Sequence, residues 1–350
     1  MTPRLPGFLR HAPGFWASGG VVADALGPIA AIWAAVARAN LLRPPRGRVE
    51  VPVVAIGNFT LGGAGKTPMV QALARAARAA GMRPAVVTRG YGGSLEGPVA
   101  VDPRRHGAAE VGDEALLHAR GGPTVVARDR LAGARAAVAE GADLILLDDG
   151  FHTSALKRDL AIVVVDRGAG IGNGRVCPAG PLRAWLDDQI ARADAVVLIG
   201  TGEPDAPSLD EVRARAGARG LPVLEAAVRA REPERFAGWR VLAWAGIGRP
   251  EKFAATLRGI GADVVDLVGF GDHELPSTAE AERLVARAAA EGLALVTTEK
   301  DLARLGGERT PALARLAWSS EAVAIELAFE GADPWALVAA RLERRRNEGG

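Results

Sequence analysis

The stretch VPVVAIGNFTLGGAGKTPMVQAL, residues 51–73, decides the fold. Its apolar, β-branched start (Val51, Val53, Val54, Ile56) reads as a buried parallel strand. Gly62, Gly63 and Gly65 open a turn, Lys66 and Thr67 follow, and residues 69–78 have helical character. Strand, glycine loop and helix in that order make a phosphate-binding loop. Backbone N–H groups of Thr60, Gly62, Gly63, Ala64 and Gly65 are the expected cradle for an anion, helped by the helix N-terminus. Lys66 is expected at the β- and γ-phosphates, and the Thr67 hydroxyl at Mg²⁺. The usual spacing wants Gly at position 60, where this chain has Thr60.

Outward from this loop, strands alternate with helices, which implies a doubly wound parallel sheet with its ligands at the carboxyl ends of the strands. Each candidate group sits after such a strand. Thr88-Arg89-Gly90-Tyr91-Gly92-Gly93 follows the second strand, and its glycines allow close approach to a ligand. Val111-Gly112-Asp113-Glu114 opens a helix; the acids are either caps or, in a kinase, the group that takes the acceptor proton and a holder of Mg²⁺. Leu147-Asp148-Asp149-Gly150 ends an apolar strand, as a metal-binding acidic strand end does. Residues 170–183 form a long Gly/Pro-rich loop with Asn173, Arg175 and Arg183. A second strand–helix series from residue 240 has no phosphate loop of its own, and carries Gly271-Asp272-His273 and Thr297-Thr298-Glu299-Lys300-Asp301.

Composition narrows the function. A length of 350 residues allows two domains, and a formal net charge of +2 gives no electrostatic case for nucleic acid. The one cysteine, Cys177, excludes an intramolecular disulfide and a cysteine metal cluster. No cleavable signal pattern is read at residues 1–10. Residues 15–42 read as an apolar helix with Phe and Trp anchors, a break at Gly27-Pro28 and trailing arginines. Its uncharged run is shorter than the ~20 residues that span a bilayer. It suits either a membrane interface or packing on the sheet domain.

Taken together, GNFTLGGAGKTP (57–68), TRGYGG (88–93), VGDE (111–114), LDDGF (147–151), RDLAIVVVD (158–166), GNGRVCPAGPLR (172–183), AGIGRPEKF (245–253), GDH (271–273) and TTEKD (297–301) resemble the tetraacyldisaccharide 4′-kinase family of Gram-negative bacteria, motif for motif and in order. The family's loop has this non-standard form at position 60. The resemblance implies two α/β/α sandwich domains: a P-loop domain at 49–205 and a smaller one at 240–330. An interfacial helix region (1–48), a linker (206–239) and a closing helix (331–350) complete the expected division. It implies transfer from ATP, with Mg²⁺, to the 4′-hydroxyl of an acylated glucosamine disaccharide 1-phosphate, by a monomer held peripherally on the cytoplasmic face of the inner membrane.

By resemblance, Asp113 is the general base, paired with His273 from the second domain. Lys66 and Asp149 act at the transferred phosphate, while Thr67, Glu114 and Asp148 hold the metal. Arg89, Tyr91, Gly92, Arg130 and Asn173 contact the sugar, its 1-phosphate or the nucleotide. Two positions depart from the family pattern. His152-Thr153 stands where Gln-His is usual, so His152 is a candidate for the displaced imidazole, and Ala184 stands where Glu is usual. Two other functions fit a P-loop with an apolar helix: an NTPase that switches a partner protein, and a non-catalytic membrane-associated binding protein. Only the kinase needs an acceptor for turnover.

Overall fold

All six residues of β1 (Val53–Asn58) are buried, as a central parallel strand requires. The computed structural model describes residues 12–200, 202–271, 274–306 and 310–348. The strands that follow are β2 (Pro84–Thr88), β3 (Val99–Ala100), β4 (Thr124–Val126), β5 (Leu144–Leu147), β6 (Leu160–Asp166), β7 (Ala195–Gly200) and β8 (Val223–Ala230). After them come β9 (Arg240–Ala245), β10 (Asp263–Gly269), β11 (Ala294–Thr298), β12 (Ser320–Val323) and β13 (Ile325–Glu330). Among the described residues these make a nine-stranded sheet, β13-β8-β7-β6-β1-β5-β2-β4-β3, and a four-stranded sheet, β10-β9-β11-β12. The small sheet is parallel throughout, and the large one is antiparallel only at its edge pairs, β13 with β8 and β3 with β4.

β1 lies between β5 and β6, so the chain leaving β5 crosses β1 to reach β6. That reversal opens a crevice above the carboxyl ends of the two strands, where open α/β sheets bind ligands. Alternation along β1 sends Val54 and Ile56 to one face, against Met69, Val70 and Leu73 of the helix Lys66–Ala79 and Val338 of the helix Pro334–Glu348. Val53 and Ala55 face the other way, against Leu131, Ala134 and Ala137 of the helix Arg130–Ala139. Each fully buried Leu or Ile contributes roughly 1.5–3 kcal/mol, so the phosphate loop is anchored at both ends by core. Helices also cover both faces of the small sheet, Pro250–Gly259 on one and Thr278–Glu291 with Pro311–Ser319 on the other.

Two boundaries differ from the sequence expectation. The span 206–239, expected by resemblance as a β-stranded linker, does carry a strand, β8, but β8 pairs into the large sheet and is preceded by the helix Leu209–Gly217. Near the end of the span 240–330, expected as the smaller domain, β12 joins the small sheet, but β13, one residue further on, joins the large one. The apolar pattern runs unbroken through Ala324, so nothing in it marks the change of sheet. The chain therefore crosses between the units twice, side by side: Arg231 N–H donates to the Ala324 carbonyl at 2.9 Å. The closing helix packs on the large sheet rather than standing apart.

The break at Gly27-Pro28 is present, with helices Val21–Ala25 and Gly27–Leu41 on either side. Ala30, Ala34 and Leu41 are buried, while Val21, Val22, Ile29, Ile32, Trp33, Val36 and Leu42 are exposed. No helix among the described residues is long and apolar enough to cross a membrane.

Candidate active site

Gly65 gives the loop its shape. Its φ of +87° is left-handed, and a Cβ there would stand 2.8 Å from Ile199 Cδ1, so both conformation and space call for glycine. The loop is held from below by Asn58, whose Nδ2 donates to the Gly62 carbonyl at 3.0 Å and whose Oδ1 accepts from Lys66 Nζ at 3.3 Å. It is held from the side by the 170–183 loop. Leu61 N–H donates to the Pro181 carbonyl, Arg183 N–H to the Phe59 carbonyl, and Arg183 Nε to the Thr60 carbonyl at 2.9 Å. Thr60 thus works through its backbone, in a β-bridge with Leu182. Gly62 and Gly63 are exposed at the rim, and Ala64 is buried.

Asp148 and Asp149 arrive from the end of β5. Asp148 is 1% exposed; its Oδ2 accepts from Thr88 Oγ1 at 3.2 Å and faces His118 Nε2 at 3.3 Å, and its Oδ1 has no hydrogen-bond partner. Burial alone would raise its pKa, but the His118 bond and the charges of Lys66 and Arg130 outweigh burial and hold it below the ordinary carboxylate range. Asp149 takes a left-handed φ of +49°, a conformation Asp tolerates better than most residues. That turn points its carboxylate at Arg183 Nη1, 3.3 Å away, and Lys66 Nζ, 3.9 Å away. Those two cations overcome burial and lower its pKa.

The helix Asp113–Gly121 brings the second acidic pair. The Thr67 hydroxyl donates to Glu114 Oε1 at 3.3 Å, so Glu114 is beside the phosphate loop and Asp113 is one residue away. Glycines hold the helix start. Gly112 has φ +85°, and a Cβ on Gly93 would lie 2.7 Å from the Gly112 nitrogen. Gly90 and Gly93 therefore serve close packing on residues 110–112, just before Asp113, as well as openness; Arg89, Tyr91 and Gly92 are exposed.

The small unit closes over this pair. Lys300 Nζ lies 2.8 Å from Glu114 Oε1, and Arg304 Nε 2.6 Å from Asp113 Oδ2. Arg304 Nη1 also donates to Asp301 Oδ1 and the Gly246 carbonyl, each at 2.6 Å, and the Asp113 and Arg304 side chains are 6% and 5% exposed. Burial pulls the Lys300 pKa down, but Glu114 and Asp113 more than reverse it, and the pKa is raised. A second set of charges, Arg249 and Lys252 on Asp166 and Lys252 on Glu203, ties the units further along the crevice.

The structure thus gathers Lys66, Thr67, Asp113, Glu114, Asp148 and Asp149 at one strand-end crevice. His273 lies outside the described residues. Arg130 and Asn173, expected to contact substrate, are engaged internally here. The Arg130 guanidinium is buried and donates to the carbonyls of Ala127 and Asp148, and its pKa is lowered chiefly by that burial. Asn173 Nδ2 donates to the Phe15 and Ala179 carbonyls, joining the N-terminal helices to the loop behind the cradle. The two departures meet at one side chain: Gln189 Oε1 is 2.8 Å from His152 Nε2, and Gln189 Nε2 donates to the Ala184 carbonyl at 2.8 Å. Burial pushes the His152 pKa down to about 4.

Sequence reasoning passed over Asn58, His118 and Arg304. It had noted Arg183 and Lys300 only inside longer stretches. The one available signal was Lys300, in TTEKD directly after a strand; the others acquire their roles from contacts across the chain.

A left-handed glycine loop feeding a helix, with a lysine over it and carboxylates arriving from the neighbouring strand end, defines a P-loop phosphotransferase. A model of the tetraacyldisaccharide-1-P 4′-kinase family matches residues 22–343. The chain belongs to that family, and its activity is 4′-phosphorylation of the lipid A disaccharide. It is similar to the tetraacyldisaccharide 4′-kinase of Nitrobacter hamburgensis, 47% identical over 323 residues covering 91% of this chain and 94% of that protein. It is also similar to that of Parvibaculum lavamentivorans, 47% identical over 285 residues covering 81% and 82%. The fold is shared with the LpxK protein from Aquifex aeolicus, whose crystal structure was solved in complex with ATP. The TM-score is 0.68 and the identity 24%, with 93% of this chain and 99% of that one covered. Nothing in these comparisons favours a partner-switching NTPase.

Proposed function

We propose that this kinase takes its phosphoryl group from ATP with Mg²⁺ bound, and that Asp113 accepts the proton of the acylated disaccharide's 4′-hydroxyl. The observation that carries the reading is the Thr67 hydroxyl on Glu114, which sets Asp113, the preceding residue, next to the phosphate loop. The backbone of residues 60–65 and Lys66 bind the β- and γ-phosphates, and Arg183, fixed between Thr60 and Asp149, adds a second cation at the same end. The donor set suits Mg²⁺: the buried Asp148 Oδ1 has no partner, and the Thr67 hydroxyl and Glu114 carboxylate touch. Among the described residues no group of three or more His, Cys, Asp or Glu could hold a metal alone, which fits an ion that takes its remaining ligands from phosphate and water. When bound, Mg²⁺ neutralises charge that builds on the transferred phosphoryl group.

Asp113 Oδ1 accepts from the Glu114 N–H at 2.9 Å and Oδ2 from Arg304. These bonds fix the carboxylate in direction. The acceptor hydroxyl reaches it as the units part about the two crossings near Arg231 and Ala324, and closure then excludes water from the γ-phosphate. Lys300 occupies the carboxylate assigned to the metal, so it withdraws from Glu114, or shares it, when the ion binds.

The decisive assay is transfer from γ-labelled ATP to detergent-dispersed tetraacyl disaccharide 1-phosphate, with and without Mg²⁺. Labelled lipid that depends on Mg²⁺ is expected; transfer undiminished by a chelator would remove the metal from the reading.

The exposed apolar side chains of residues 21–42, with Arg38 and Arg43 beside them, support peripheral attachment to an anionic membrane surface. Ile32→Glu with Val36→Glu should shift the protein from floating with anionic liposomes to remaining below them on a sucrose gradient. Unchanged flotation would assign this surface elsewhere. The chain is read as acting as a monomer at the cytoplasmic face of the inner membrane.

A further inference from the structure

We infer that His118 is a positioning residue for the metal-bound form of the site: it holds Asp148 by Oδ2 and leaves Oδ1 for the ion. The inference rests on the assignment of Asp148 to Mg²⁺ above. His118 sits one turn into the helix Asp113–Gly121, its side chain fully buried. Its neighbours on that helix, Leu116 and Leu117, pack in an apolar layer with Val111, Val126 and Ala303. An imidazole in such a layer costs free energy unless it is bonded, and leucine would fill the space without that cost. Its recorded polar contact is Asp148 Oδ2 at 3.3 Å, and its Nδ1 has no partner. Because an ionised Asp148 Oδ2 can only accept, Nε2 is the donor in this contact.

Thr88 Oγ1 converges on the same Oδ2 from β2. Two donors on one oxygen fix the rotation of the carboxyl group and leave Oδ1 buried and unpartnered. The same helix starts with Asp113 and Glu114, and Glu114 touches Thr67. One rigid element therefore sets both carboxylates assigned to the metal. Glu114 belongs to its first turn, and Asp148 is held through His118, four residues after Glu114. A donor behind a ligating carboxylate orients it and raises affinity, and losing such a donor weakens metal binding about 10–100-fold.

The test measures Mn²⁺ binding by electron paramagnetic resonance, on full-length protein with a non-hydrolysable ATP analogue, for wild type, His118→Leu and His118→Gln. Half-activation by Mg²⁺ is measured alongside. The expected result is Mn²⁺ affinity about 10-fold or more weaker in His118→Leu and near wild type in His118→Gln, whose amide N–H reaches Asp148. The Mg²⁺ concentration for half-activity should rise in step, while kcat at saturating Mg²⁺ changes much less. If His118→Leu does not fold, His118→Asn, polar but too short to reach, takes its place with the same expectation. A purely structural histidine would lower the melting temperature of the variants and leave Mn²⁺ affinity unmoved, and that overturns the inference. So would a glutamine variant as weak as the leucine one. Wild type that binds no Mn²⁺ with the analogue present would overturn the metal assignment itself.

Discussion

Asp113→Asn will lower kcat by about 10²–10⁴-fold, the usual worth of a positioned proton acceptor, and leave ATP affinity within a few-fold of wild type. Asparagine is the informative substitution because Asp113 also has a structural task. Its Oδ1 accepts from the Glu114 N–H and its Oδ2 from Arg304 Nε. The amide oxygen can satisfy one of these donors, so about 1–3 kcal/mol is lost for the other, against a larger loss with alanine. The nucleotide contacts are proposed on the loop 60–67, which the substitution does not change. A carboxylate bound to a guanidinium is a weak base, but phosphoryl transfer asks little of it, because catalysis rests mainly on positioning and electrostatic stabilisation. Single-turnover transfer to the disaccharide, with ATP affinity and a melting curve on the same sample, separates the two tasks. Transfer within tenfold of wild type would leave Asp113 only the structural one.

Much of this was legible from local pattern. The stretch 51–73 fixes β1, the loop and its helix because strand burial, glycine freedom and helical periodicity are local properties. The positions of the acidic pairs at 113–114 and 148–149 follow from the elements that they open or end, whereas local pattern left 113–114 open between helix caps and chemistry, and only the resemblance chose. What stayed hidden depends on contacts remote in sequence. Arg304 meets Asp113 across 191 positions, and nothing around residue 304 distinguishes it from the many surface arginines of this Arg-rich chain. Arg130, a ligand contact only by resemblance, turns its guanidinium inward to two carbonyls here, one of them on Asp148 at another strand end. The change of sheet at Ala324 was invisible because strands of both sheets want the same apolar, β-branched composition.

Arg304→Met will destabilise the protein by about 3–5 kcal/mol, the cost of removing one partner from a buried charge group. Arg304 is the cation between two carboxylates, with Nε on Asp113 and Nη1 on Asp301, whose side chain is 1% exposed. Both acids remain in place when it goes. At about 2 °C per kcal/mol for a chain of this size, the melting temperature should fall by about 6 °C or more. Arg304→Lys should recover only part of this, since an ammonium cannot reproduce the planar fork that reaches Asp113, Asp301 and the Gly246 carbonyl together. Lys300→Met is the contrast. Its partner Glu114 is 24% exposed and also accepts from the Thr67 hydroxyl, so the stranded carboxylate keeps water and a donor and the loss should be smaller than for Arg304→Met.

The sign of the pH dependence identifies the cause. Burial already raises the Asp301 pKa despite Arg304, Thr298 and the Gly246 N–H. A carboxyl whose pKa rises on folding keeps its proton longer in the folded chain than in the unfolded one. Its contribution therefore favours folding as pH falls through the raised value and opposes it above. Removing Arg304 takes away a charge that lowers that pKa, so the deficit of Arg304→Met should be largest at neutral pH and shrink as pH falls into the acid range. Thermal melts of variant and wild type across that range read the difference directly. A deficit constant with pH would mean that the loss comes from packing of the arginine stem rather than from stranded charge.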